Sequence, residues 1–315
     1  MRVGVGLDGR DSDADTGPAV EETPYMEWTA TVAGIALIAV IVRDVFHTLF
    51  HPIGHGSIAP TVMKLIWRLL GLLPPQRRIA SLTGPLGIAM VVLAWGVIAV
   101  AGWTLIYWAQ MPEGFAYGTE LDPNERHDIV DSLYLSLVTI GTLGFGDVVP
   151  TSVTLRLAAP IEALFGFMLL TAAVSWVLEI YPALHRRRVL ALQLSTLRRA
   201  REGDPVLPID SVPVEVLTSL AAGIVEARND FTQYSATYYF RDLETDASLA
   251  ASLEYATQLA AEAMASAQDH VRTAGRLMKI AVDSLAELLD QEFLQLGGDT
   301  DAVVQAYAVD HRHIN

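Results

Sequence analysis

Hydrophobic positions fall into three long runs and one short one. Ile79 to Pro112 carries no charged residue, and its Leu86–Trp108 part is long enough to cross a ~30 Å hydrocarbon core as a helix. Gly84-Pro85 marks its start, and Trp103, Tyr107 and Trp108 suit the far interface. A second span runs from about Leu155 to Tyr181, apolar except for Glu162 and Glu179. Between them Ser132–Gly146 is uncharged for only 15 residues, too short to cross but suited to a re-entrant segment. A third candidate span is Trp28 to about Phe50, uncharged until Val42 and then interrupted by Arg43 and Asp44; a helix lying on the membrane is the alternative. After Arg188 the pattern becomes that of a water-soluble domain, with amphipathic helices expected over Val214–Phe231, Ser248–Thr273 and Met278–Leu296. Asp204-Pro205 and Leu207-Pro208 should break the helical extension of the last span from these helices.

The charge distribution orients the spans. Lys64, Arg68, Arg77 and Arg78 lie in the first connection, and Arg186, Arg187, Arg188, Arg198, Arg199 and Arg201 follow the last span. Only Arg126 lies between the main spans ahead of the short segment. The first connection and the C-terminal half are therefore expected in the cytoplasm, and the short segment enters from outside. The first 27 residues are acidic and turn-rich, lack the basic start of a secretory signal, and read as a disordered tail over about 1–25. A net charge of −15 argues against nucleic acid as a partner, and the absence of Cys excludes disulfides. Gly4-x-Gly6-x-x-Gly9 fits a dinucleotide-binding pattern, but the strand that must precede it and the helix that must follow it are missing.

The short apolar segment ends in Thr142-Leu143-Gly144-Phe145-Gly146-Asp147. Two glycines at this spacing let a chain alternate between ordinary and left-handed conformations without a Cβ clash. Successive backbone carbonyls can then point to one side and replace the water shell of an ion. An ordinary Gly-rich turn is the alternative, and the flanking full spans weigh against it, because irregular backbone at membrane depth needs protein around it.

The string has the form T-x-G-[YF]-G-D, and its setting resembles the tetrameric potassium channels, most nearly a bacterial type with one pore loop per chain and an added N-terminal helix. The specific match covers roughly Gly84–Arg188. The resemblance implies an all-α integral membrane protein: a potassium-channel pore module with an added N-terminal transmembrane helix and a helical cytoplasmic C-terminal domain. Its parts would be the N-terminal span (26–50), a cytoplasmic connection with an interfacial helix (51–83), the pore domain (84–188) and the cytoplasmic domain (189–315). Within the pore domain it implies an outer helix (85–108), a pore helix (131–141, chiefly Asp131–Thr139), a filter (142–147) and an inner helix (154–186). K⁺ would be held at Thr142, Leu143, Gly144 and Phe145, with Gly146 completing the filter and Asp147 at the outer mouth. Gly166 would be a gating hinge or a close-packing position, and Glu179 an inner-mouth ring or a glutamate at the lipid interface. Passive K⁺ conduction by a homotetramer in the cell membrane follows, with lipid and K⁺ as the other partners, no cofactor and the cytoplasmic regulator left open. A weakly selective cation pore, or a membrane-anchored sensor with a non-conducting pore, is the alternative.

The sequence departs from that family at Phe145, where tyrosine is commoner, at Val138, where some relatives carry glutamate, and at Tyr134 and Leu135, where tryptophans often stand. Glu162 is a candidate replacement brace. Residues 109–131 carry a net −5, or −20 around a fourfold rim, which would concentrate cations. Thr61–Leu73, with Lys64 and Arg68 four apart, reads as an interfacial helix or one buried between spans. His47, His51 and His55 are a weak metal-site candidate interrupted by Pro52, and Tyr234, Tyr238, Tyr239 and Phe240 read as core. No voltage-sensor Arg repeat, nucleotide-binding turn or catalytic constellation is visible, so enzymatic activity is not expected.

Overall fold

The computed structural model describes residues 24–50, 56–72, 82–118, 128–203 and 207–311; the acidic tail, His51, His55, Arg77, Arg78, Glu120, Asp122, Glu125, Arg126 and Asp204-Pro205 lie outside these. Among the described residues, three helices are long and apolar enough to cross a bilayer: α1 (Pro24–Phe50), α3 (Thr83–Trp108) and α5 (Val153–Arg201). Between α1 and α3 lies α2 (Ile58–Gly71), and between α3 and α5 the shorter α4 (Asp128–Ile140). Two three-residue strands, β1 (Phe115–Tyr117) and β2 (Val148–Pro150), pair antiparallel with Phe115 opposite Pro150 and Tyr117 opposite Val148.

Small residues set how α1 meets α3. A Cβ on Gly34 would stand 2.4 Å from the Gly102 carbonyl, so the two backbones touch where the helices cross. Asp44, which with Arg43 interrupts the uncharged run, is buried inside α1. It accepts the Trp95 indole N–H from α3 at 2.8 Å and the Ile58 backbone N–H, at the start of α2, at 2.8 Å. A carboxylate at a helix N-terminus satisfies an otherwise orphan donor and opposes the helix dipole. Asp44 thereby fixes α2 against both neighbouring helices, and Met63 and Trp67 supply the buried face of α2.

The inner helix expected over 154–186 does not stop there: α5 runs unbroken for 49 residues to Arg201, through Pro160 and Pro182. A proline inside a helix removes one backbone hydrogen bond. Beyond Pro182 the packing of Leu184, Leu190, Ala191 and Leu194 against the domain that follows offsets that loss. This domain consists of α6 (Val214–Gln233), α7 (Leu249–Met264), α8 (Asp269–Leu289) and α9 (Thr300–Asp310), around a core that includes Leu220, Ile224, Leu253, Leu259, Met278 and Leu285. The helix expected over Ser248–Thr273 is two helices broken at 265–268, and the one expected from Met278 begins nine residues earlier, at Asp269. Ser266 makes the break: its hydroxyl donates to Asp210 and accepts the Gln268 N–H at 3.0 Å, ending the turn that α7 would otherwise extend.

The basic triplet after the last span has structural work beyond topology. Buried Arg187 donates to the carbonyls of Thr237 at 2.7 Å and Phe240 at 2.9 Å and pairs with Asp242 at 3.1 Å. Arg186 grips Asp230 with two nitrogens, and Arg188 reaches Asp242 at 2.7 Å. Residues 234–242 are thus tied to α5, and Phe240 lies on Gly84, where a Cβ would stand 2.4 Å from its ring. On the other side of this segment, the Tyr238 hydroxyl donates to Asp310 at 2.6 Å and the His311 Nε2 lies 2.9 Å from the Tyr238 carbonyl.

Burial holds the His311 imidazole down at about 4 from its ordinary 6.5; the Tyr238 carbonyl opposes this, and the Arg187 charge adds to it. The unfolded chain therefore binds a proton before the folded one does. This contribution to stability is complete above about 6.5 and is lost as pH falls through about 4. Thermal unfolding of the full chain in detergent should fall more steeply over that window than in His311→Gln; equal slopes would refute the role.

Candidate ion-conduction site

The site is built on α4. Asp128 and Asp131 lie in its first turn, where negative charge suits the helix dipole, and its partially negative end leads into the glycine-containing segment 141–147. The helix starts three residues before the expected 131. The Ser132 hydroxyl holds this first turn by donating to the Asp128 carbonyl at 2.5 Å. Past Ile140 the chain folds back on the helix it has just left. Leu143 N–H donates to the Val138 carbonyl at 2.8 Å, Thr142 N–H to Thr139 at 2.9 Å and Gly141 N–H to Leu137 at 3.1 Å.

Beyond this turn every second residue is left-handed: Thr142 at φ 57°, Gly144 at φ 57° and Gly146 at φ 79°. The glycines adopt this region freely. Thr142 does not, because a β-branched residue there is strained, and such strain persists only where surrounding structure enforces it. Among the described residues, no backbone N–H donates to the carbonyls of Thr142 through Gly146. The strand also lies open, with Leu143 62% and Phe145 67% exposed. Its amides are occupied near the helix and its carbonyls are uncommitted, as a ligand cage for a bare cation requires.

Three fixtures hold this strand. At its outer end the Asp147 carboxylate accepts the Tyr134 hydroxyl at 2.6 Å, and its carbonyl accepts the Gly118 N–H at 2.8 Å, next to the β1–β2 pair. Behind α4, Glu162 is 0% exposed and accepts the Tyr107 hydroxyl at 2.5 Å and the Ser136 hydroxyl at 2.6 Å. One carboxylate thus joins α3, α4 and α5. At the inner end, Gly166 lets α5 lie against the last turn of α4, since a Cβ there would stand 2.4 Å from the Ile140 carbonyl.

The structure thus brings Thr142 to Asp147 together on one strand, with Gly166 at its foot. Glu179 lies apart from them, on the exposed side of α5, where with Thr171 and Ser175 it lines an apolar groove against α1. Sequence reasoning placed neither Tyr134 at Asp147 nor Tyr107 and Ser136 at Glu162. A signal existed, because an ionisable residue in an apolar span needs partners, and the nearest hydroxyl-bearing segments were the outer and pore helices.

Residues 91–181, from α3 into α5, match a family described as "Ion channel" (Ion_trans_2). Over 168 residues, 53% of this chain and 48% of the relative, the chain is 25% identical to the uncharacterized membrane protein YdjJ of Bacillus subtilis. Two-pore potassium channel 3 of Arabidopsis thaliana is 41% identical over 61 residues, 18% of this chain and 14% of that one. Two-pore potassium channel 2 of the same plant is 38% identical over 80 residues, 24% and 16% of the two chains. The matched stretch covers about half of the bacterial relative and about a sixth of each plant one. No solved structure matches. Over residues 91–181 the chain is thus similar to an ion-channel family and, over shorter stretches, to potassium channels, and its described residues form a mostly helical protein with three helices able to cross a membrane.

Removing the Glu162 carboxylate should leave the buried Tyr107 hydroxyl without an acceptor, at about 1–3 kcal/mol, and the Ser136 hydroxyl with only the Val100 carbonyl at 3.4 Å. Glu162→Leu should accordingly lower the detergent unfolding temperature well below that of Glu162→Gln, which keeps an acceptor. Equal melting of the two variants would show that the carboxylate is not the joint.

Proposed function

We propose that the chain conducts K⁺ passively down its electrochemical gradient through a pore formed by four copies of itself. One observation carries this reading: an exposed strand with left-handed residues at Thr142, Gly144 and Gly146 and five uncommitted carbonyls, anchored at both ends and from behind. A single strand of this kind supplies part of a ring, and closed cyclic symmetry is the simplest way to complete it. Carbonyls of Thr142, Leu143, Gly144 and Phe145 replace the water around K⁺, Gly146 completes the turn, and Asp147, braced by Tyr134, stands at the outer mouth. Gly166 acts first as a seat for the pore helix, and any hinge motion of α5 starts from that contact. Glu179, in the apolar groove against α1, takes the part of a glutamate at the lipid interface rather than of an inner-mouth ring. The membrane is the cell membrane, and α6–α9 lie on its cytoplasmic side, as the basic residues of α5 support.

The test is flux from the purified full chain in liposomes. In mixed K⁺/Na⁺ solutions the reversal potential should follow the K⁺ gradient, and Gly144→Asp, which puts a side chain where φ is 57°, should abolish the current. A reversal potential midway between the two ions would replace this reading with a weakly selective cation pore. Absence of flux in the unaltered protein would replace it with a non-conducting membrane sensor.

A further inference from the structure

Helix α2 divides its circumference in an unusual way. Met63 and Trp67 are buried, whereas Lys64, Leu65, Arg68, Leu69 and Leu72 are exposed. At 3.6 residues per turn the exposed residues span an arc of roughly 140°, with Lys64 and Arg68 on one flank and the three leucines on the other. Leu72 is 83% exposed and Leu69 51%. Bulky apolar side chains beside a basic flank are costly in water and unsuited to the bilayer interior. They fit the boundary, where leucines enter the acyl region and cations reach the headgroups. The position agrees, since Asp44 fixes the start of α2 at the C-terminal end of α1, and Met63 lies on Gly87 near the start of α3.

The geometry points to the Lys64/Arg68 flank of α2 as a docking surface for anionic phospholipid headgroups of the inner leaflet, linked through Trp67 to the cytoplasmic domain. Charge complementarity selects this occupant: two cations four residues apart, on the same exposed arc as a leucine row, match a phosphate headgroup above acyl chains. The linkage is short. The Trp67 indole N–H donates to Asp310 at 3.2 Å, and the Arg241 guanidinium lies 3.9 Å from the centre of its ring. The ring also meets Tyr239 and His311, at centroid distances of 5.6 Å and 5.1 Å. The same 234–242 segment is gripped from the other side by Arg187 of α5. A lipid that seats α2 therefore steadies the segment that joins the cytoplasmic helices to the inner helix. This rests on the membrane placement of the chain and its cytoplasmic face, and not on ion conduction.

The experiment uses the full-length protein in detergent micelles, titrated with phosphatidylglycerol or phosphatidylcholine and read by amide hydrogen exchange. Phosphatidylglycerol should slow exchange in residues 234–242 several-fold, phosphatidylcholine should not, and Lys64→Gln/Arg68→Gln should lose the effect while Lys64→Arg/Arg68→Lys keeps it. Both positions are exposed, so folding should survive the changes. Equal slowing in the neutralised variant, or none in the unaltered protein, would overturn the proposal. Because the chain has no cysteine, Leu69→Cys also accepts a single spin label. In phosphatidylglycerol liposomes it should be relaxed by oxygen dissolved in the lipid. Dipolar broadening between copies would instead assign the face to a subunit contact and overturn the lipid proposal. The readouts contain no ion flux, so a non-conducting pore would leave them unaffected.

Discussion

A backbone that offers its carbonyls to an ion must take its own amides out of competition and be kept from collapsing onto itself. The return of the Leu143 amide to Val138, with the amides of Gly141 and Thr142 bound to the same helical turn, meets the first requirement. Glu162 meets much of the second, because it ties the pore helix to both flanking helices through two hydroxyls. A buried carboxylate without donors would be costly in an apolar span, so the bond network also demands that Tyr107, Ser136 and Glu162 stay together. Position of the strand, its open carbonyls and the strained Thr142 all depend on that joint and on the Tyr134–Asp147 contact at the opposite end.

Helices α6–α9 are not a separate appendage. One continuous helix, α5, carries Gly166 beneath the filter strand and Arg187 into the 234–242 segment. That segment in turn touches α2 through Trp67, α3 through Gly84 and the C-terminal helix through Asp310. Its carbonyls and aromatic rings are spent on these neighbours, so a displacement of α5 must be accommodated by α2 and α9 as well. The cluster Tyr234, Tyr238, Tyr239 and Phe240, which reads in sequence as ordinary core, is the place where the long apolar helices and α6–α9 interlock.

Local rules carried the sequence reading far where chemistry is local. The glycine spacing of 144 and 146 marks a carbonyl-presenting strand because only glycine adopts φ > 0 freely, and the uncharged runs mark helices that match bilayer thickness. What stayed hidden depends on distant partners. Thr142 at positive φ contradicts its own preference and follows from the fold around it. The inner helix extends beyond the expected 186 up to Arg201, just before the Asp204-Pro205 break that the sequence marks. Only Asp230, Asp242 and the carbonyls of 237 and 240 show why the helix continues. The break near Ser266 contains neither Gly nor Pro, and its cause, Asp210, lies 56 residues away. Asp44 likewise reads only as an interruption of an apolar run until Trp95 and the start of α2 are seen around it.

Ion occupancy of a shared ring is the claim on which the functional account stands, and it can be measured without current. The purified chain of 34.2 kDa should run in detergent as an assembly of four copies, and the temperature at which that assembly dissociates should rise when K⁺ replaces Na⁺ at constant ionic strength. A monomer, or an oligomer whose dissociation temperature is the same in both salts, would contradict it.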